Sequence, residues 1–287
     1  MTILDRGPAL PLPDALSPPP RTRRRRKVMI ATTVFGVVIA ILLLVPLLPL
    51  ADPLTQNLGQ RQASPSGDHW LGQDALGRDV LSRIMWGARV SLLGMVVAVG
   101  IAAAIGLPWG LTAGYFGGWT DEILMRVADG VLAVPGVVLA IAIVGMLEPS
   151  LFNAMLAIGL VFSPTVARLI RSEALPLMNV DYVSASLLSG TSSWRAMWRH
   201  VFPNAMGPVI VQLCSLASLA LIIEASLSFL GMATQPPAPS LGGDLADAYL
   251  QFSQAPLSTV TPGLAIAFVA FLVSRVGDEL RGKLGIR

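Results

Sequence analysis

Charged and polar positions cut this chain into long apolar runs, and the runs carry the first structural expectation. Residues 28–50, 90–114, 127–147, 151–170, 205–232 and 261–275 are nearly free of charge. A helix of about 20 mainly apolar residues crosses the hydrocarbon core of a bilayer, whereas soluble cores use shorter apolar segments. The pattern therefore predicts an all-α membrane protein with six transmembrane helices and little chain left for soluble domains. The first run, 28–50, is longer than the core of a secretory signal and closes with Val45-Pro46-Leu47-Leu48-Pro49-Leu50 rather than with small residues. It reads as a retained span.

The polar intervals set the organisation. Residues 1–27 are expected to form a disordered basic arm: the Pro-rich stretch 1–20 has no periodicity with which to bury a face. Arg21, Arg23, Arg24, Arg25, Arg26 and Lys27 then stand directly against the first span, and positive charge in that position is retained on the cytoplasmic side. From that start, 115–126, 168–204 and 276–287 fall inside, while 51–89, 148–150 and 233–260 fall outside, with both termini in the cytoplasm. Of 20 Lys and Arg residues only Arg61, Arg78, Arg83 and Arg89 fall outside, all in the first outer loop. That loop, 51–89, ends in a helical pattern that Asp79 can cap, with Leu81, Ile84, Met85 and Ala88 on one face. Trp86 suits the membrane surface, being apolar in body and polar at its tip, so an interfacial helix is expected ahead of the span at Val90. Residues 90–275 make up the membrane core and 276–287 a cytoplasmic tail.

Composition narrows the function. Hydrophobic side chains make up 54% of 287 residues and charged ones 13%, with a mean hydropathy of +0.68, too apolar for an ordinary soluble domain. The basic residues, spread over loops between spans, read as topology signals rather than as a groove for nucleic acid. Cys214 is the only cysteine, so no intrachain disulfide and no thiolate cluster can form. A phosphate-binding loop needs a lysine in a glycine-rich setting, and neither Lys27 nor Lys283, the only lysines, has one. His69 and His200 stand too far apart to indicate a metal site. No catalytic centre, metal site or cofactor is expected in this chain.

One cytoplasmic interval is longer than a hairpin between spans requires. Within 179–204, Asp181 can cap a short helix through Leu188 that ends at Gly190, where a left-handed residue closes the turn. Ser184, Ala185 and Ser186 keep its surface small. Ser193 can cap a second helix with Trp194, Met197, Trp198 and Val201 on one stripe, and Phe202-Pro203 is expected to stop it before the fifth span. The result is a knob shaped for contact with another protein, or else a pair of helices resting on lipid.

These residues, taken with others along the chain, resemble a known family. His69-Trp-Leu-Gly-Gln-Asp-Ala-Leu-Gly-Arg-Asp-Val-Leu-Ser-Arg83, Gly114-Tyr-Phe-Gly-Gly-Trp119, Met125-Arg126 to Asp129 and Asp181-Tyr182-Val183 stand in its order. So do Leu227-Ser-Phe-Leu-Gly231, Gln235-Pro-Pro-Ala-Pro-Ser-Leu-Gly242, Ala255-Pro256, Pro262-Gly263 and Gly277-Asp278-Glu279-Leu280-Arg281. The chain resembles the inner-membrane permeases of dipeptide, oligopeptide and nickel ABC importers, in particular the second of their paired permease subunits. The resemblance implies a type I ABC importer permease fold in the bacterial cytoplasmic membrane. It also implies translocation of dipeptides or oligopeptides by alternating access. Implied partners are a homologous permease, two ATPase subunits or one fused ATPase holding ATP and Mg, and an extracytoplasmic binding protein. It assigns ATPase coupling to Tyr182, Val183, Ser184, Ala185, Ser186, Leu187, Gly190, Phe202 and Pro203. Ser184 and Ser186 depart from it, standing where the family usually has a glutamate and an alanine.

Inside the spans the one frankly ionisable candidate is Glu224, with Ser226 and Ser228 close behind. A central acid costs about 2.5–3.5 kcal/mol on insertion scales, so an intramembrane acid faces the bundle interior and marks a substrate path or a structural partner. On the first reading Glu224 and Ser228 lie on the substrate pathway and Glu224 meets a peptide amino terminus. On the second it ties to a polar group of another helix. An ion-driven secondary transporter would show repeated halves and several intramembrane polar sites, and neither is evident. A membrane scaffold with no pathway of its own is the other rival class.

Overall fold

The computed structural model describes residues 36–178, 180–253 and 256–283. The basic arm, the start of the first expected span, Asn179 and the last residues of the expected tail lie outside them. The described residues form helices joined by turns and one isolated bridge, Gln73 to Asp79. A bilayer offers no water to satisfy backbone amides, so apolar segments close their hydrogen bonds within the helix.

The helices are α1 (36–43), α2 (Val80–Phe116), α3 (Gly118–Leu132), α4 (Gly136–Met146), α5 (Leu151–Leu177), α6 (Asp181–Leu188), α7 (Ser193–Ala196), α8 (Phe202–Phe229), α9 (Leu241–Tyr249) and α10 (Pro256–Lys283). Among the described residues four stretches are long and apolar enough to cross a membrane, and α3 with α4 makes a fifth if that bent pair counts as one. α1 lies in the expected first span.

The architecture rests on α2 against α5. On α2, a Cβ at Gly106 would meet the Ser163 carbonyl at 2.5 Å, one at Gly110 would overlap the Ala167 carbonyl, and one at Gly114 would meet the Arg171 carbonyl at 3.1 Å. Nearer the start of α2, Gly94 lies against Met155. Each step along α2 thus meets an equal step along α5, so the two helices run parallel and touch backbone to backbone. Parallel neighbours oblige the intervening chain to return, over about 33 Å for the 22 residues from Gly94 to Phe116 at 1.5 Å each. α3 and α4 make that return along α5: Asp121 pairs with Arg171, Asp129 with Arg168, and Gly136 lies against Val161.

Three expectations are corrected. The predicted straight span 127–147 is broken, α3 and α4 meeting at 88°, because Pro135 caps α4 in an extended conformation (ψ 124°) and cannot continue the preceding helix. The separate interfacial helix before Val90 is instead the first part of α2, one continuous helix of 37 residues. Asp79 does cap it, accepting from the Ser82 amide at 2.7 Å. Finally, Phe202-Pro203 does not stop the chain's helical path. A π-helical turn, Met197–Val201, carries α7 into α8, and its wider spacing relieves the clash a proline ring makes with the preceding turn.

The loops sort to two ends. Residues 51–79, the α4–α5 link and α9 share the end where α2 begins, and 117–118 and the 181–204 knob share the other. Two of the four exceptional arginines also have local partners at that first end: Arg78 pairs with Asp74 and Asp247, and Arg83 with Asp244.

Gly110→Leu is expected to separate α2 from α5, because its Cβ would overlap the Ala167 carbonyl and crowd the buried Ile170 side chain. The overpacking cost is at least about 1–3 kcal/mol, read as a lower thermal unfolding midpoint of the purified protein. Gly100→Leu, at a position where a Cβ would meet no atom within 4 Å, is expected to leave the midpoint nearly unchanged.

Candidate functional site

The knob at 181–204 is rooted and exposed at once. Val183, Met197 and Val201 are fully buried with Leu111 of α2 and with Ile170 and Ala174 of α5. Above this root the surface is open: Tyr182, Ala185, Ser189 and Gly190 are exposed, and Leu188 is 90% exposed. Tyr182 and Leu188 put apolar area on this projecting turn. Gly190 has φ +85°, the left-handed conformation that glycine adopts without a Cβ penalty. The second helix is capped by Ser192, whose Oγ accepts from the Arg195 amide at 3.4 Å, one residue earlier than expected.

Among the residues assigned to coupling, Tyr182, Ala185, Gly190 and Pro203 are exposed and Ser186 is half-buried. Val183 and Phe202 face inward. Val183 is a core anchor, and Phe202 stacks on Trp198 with ring centroids 4.9 Å apart. The side chains of Ser184 and Leu187 lie outside the described residues. Asn204 bonds the Tyr182 hydroxyl at 3.3 Å and the His200 carbonyl at 2.6 Å, tying the tip of the knob to the start of α8.

A second polar group sits inside the bundle. Glu224 is 0% exposed. Ser91 of α2 donates to its Oε2 at 2.6 Å and Ser228 donates to its Oε1 at 2.8 Å. Ser228 Oγ also accepts from the Thr234 amide at 3.4 Å, beyond the end of α8. Glu224 and Ser228 therefore join α2, α8 and the following turn within one subunit, and neither faces an open surface of it. Ser91 was missed in the sequence, because one serine in an apolar run carries no periodic signal. Among the described residues no group of His, Cys, Asp and Glu has metal-site geometry.

Residues 106–282 match the family described as "Binding-protein-dependent transport system inner membrane component". The chain belongs to that family. This permease is 38% identical over 246 residues to the dipeptide transport system permease protein DppC of Alkalihalophilus pseudofirmus, covering 86% of this chain and 81% of that one. It is also 38% identical over 220 residues to the glutathione transport system permease protein GsiD of Pectobacterium atrosepticum, covering 77% and 73%. Among solved structures, an inward-facing methionine ABC transporter, MetNI, superposes with a TM-score of 0.59 at 16% identity, covering 71% of this chain and 96% of that one. That likeness establishes the type I ABC importer permease fold. The permease is a multi-pass inner-membrane transport component.

Replacing Glu224 by Leu is expected to leave the Ser91 and Ser228 hydroxyls without their acceptor, at a cost of about 1–3 kcal/mol. Glu224→Gln keeps a carbonyl oxygen between them and is expected to lose less. Thermal unfolding of the two variants in the same detergent orders them.

Proposed function

We propose that this permease pairs with a homologous subunit to form the membrane pathway of an importer for short peptides, driven by separate ATPase subunits. The observation that carries the reading is the knob, exposed at its tip and rooted in the α2–α5 core. In this reading the tip seats in a groove of an ATPase that holds ATP and Mg. The knob belongs to the cytoplasmic end, with both termini, and α9 and residues 51–79 face an extracytoplasmic binding protein. The dipeptide and glutathione permeases among its relatives support short peptides as the substrate class.

Movement follows from continuity. Helical structure is unbroken from Ser193 to Phe229, so displacement at the knob is passed along α8 to Glu224 and on to the turn before α9. ATP binding draws the ATPases together, the two knobs follow, and the helices reorient to release substrate inside. Tyr182, Ala185, Ser186 and Gly190 supply the surface that the ATPase meets, while Val183 and Phe202 hold that surface to the bundle. The small side chains at the tip allow close approach to the ATPase.

Uptake of labelled dipeptide and of labelled glutathione, in cells with and without this chain, tests the substrate. Co-purification of an ATPase tests the coupling. Gly190→Pro cannot adopt φ +85°, since proline is held near −65°, and it is expected to lower ATPase recovery at least about tenfold, corresponding to about 1.4 kcal/mol of coupling. Peptide uptake is expected to fall with it. A wild-type permease that never recovers an ATPase contradicts the proposal; a bound ATPase with neither solute imported contradicts the substrate alone.

A further inference from the structure

A half-buried ionic cluster at the end opposite the knob has more acid than base. Arg83 of α2 donates from Nε to Asp244 Oδ1 at 2.8 Å, and from Nη1 to the carbonyls of Pro53 at 3.1 Å and Pro237 at 3.4 Å. It thereby joins residues 51–79, α2, the turn before α9 and α9 itself. Asp244 is 8% exposed, and its Oδ2 has no hydrogen-bond partner. Beside it Arg78 pairs with Asp74 and, at 3.1 Å, with Asp247. Three carboxylates thus meet two guanidinium groups around a cavity of about 210 Å³.

The other elements packed on α9 do not supply the missing positive charge. α8 carries one charged side chain, Glu224, engaged by Ser91 and Ser228. α10 carries none before Arg275, and the turn 230–240 has none. In residues 51–79 the other base, Arg61, is exposed, and His69 is held by Asp79 at 2.9 Å and by Gln73 at 3.1 Å; on α2 the remaining base, Arg89, lies over the Trp86 ring at 5.6 Å. A buried carboxylate oxygen without a donor is costly in a way that a proton relieves.

We propose that the cluster takes up one proton, on Asp244, when α9 docks against α2, so that acid favours the docked cap and rising pH loosens it. Burial is the main cause that pushes the Asp244 carboxyl up to about 6, with Asp247 adding to it and Arg83 and Arg78 opposing. Freed to water, the same group returns to about 3.9. A group whose pKa is higher docked than free binds a proton on docking. Docking is therefore strongest below the free value and weakens as pH rises through the docked one. Between pH 5.0 and pH 7.5 this linkage amounts to about a tenfold change in the docking equilibrium.

The test is hydrogen exchange by mass spectrometry on the full-length permease in its assembled complex, in nanodiscs, with each rate corrected for intrinsic exchange at its pH. Protection of the α9 amides is expected to be about tenfold lower at pH 7.5 than at pH 5.0, with amides in the middle of α5 unaffected. Asp244→Asn is expected to flatten the profile. Asp247→Asn removes a like charge from a side chain that is 59% exposed, so this mild change is expected to keep the profile and move its midpoint to lower pH. A flat wild-type profile, a slope retained in Asp244→Asn, or an unmoved midpoint in Asp247→Asn would each overturn the proposal.

Discussion

Backbone contact between α2 and α5 is the constraint from which the rest of this permease follows. Within a bilayer the lipid is as apolar as the side chains, so helices associate through close packing, and small residues permit it. Gly106, Gly110 and Gly114 fall one turn apart on α2 and let it lie directly on the α5 carbonyls. Because the two helices run parallel, α3 and α4 must carry the chain back between their ends. The 88° break between them lets an apolar segment make that return while α3 keeps its ion pairs to Arg168 and Arg171.

The same contact organises both ends. At one, Leu111 and Ile170 form the floor on which Val183 and Met197 rest, and that floor makes an otherwise short segment into a fixed projection. At the other, the first turn of α2 brings Arg83 to Asp244, 161 residues away in sequence. Between them Ser91 meets Glu224. Each polar tie anchors a more peripheral element to α2, and each places an ionisable group where solvent is scarce, so its strength depends on complete pairing. Glu224 has two donors; Asp244 is left with one unpaired oxygen.

Continuity from the knob into α8 changes how the two ends relate. A stop at Pro203 would isolate the contact surface from the spans. The π-helical turn keeps the path helical, with Met197 and Val201 locked in the core and Asn204 bonded back to Tyr182 and His200. Displacement of the exposed tip is therefore met by a packed root and a helix that runs to the far end of the bundle. The segment is thus accessible at its tip and stiff at its root.

Much of this was legible in the chain itself. Apolar length identified most of the spans, charge bias sorted their loops into two sets, Asp79 announced the start of α2, and Gly190 marked the turn after α6. The ordered motifs from His69 to Arg281 pointed to the family. Each of these is a local property: partition into lipid, satisfaction of the first amides of a helix, or a backbone angle available to glycine. Tertiary structure alone decided that α2 and α5 run parallel, that 127–147 breaks at Pro135, that Val183 faces inward, and that Glu224 meets Ser91 while Arg83 meets Asp244. Those outcomes depend on which surfaces meet across tens to hundreds of residues, and hydrophobic periodicity records that a side chain is buried without recording against what.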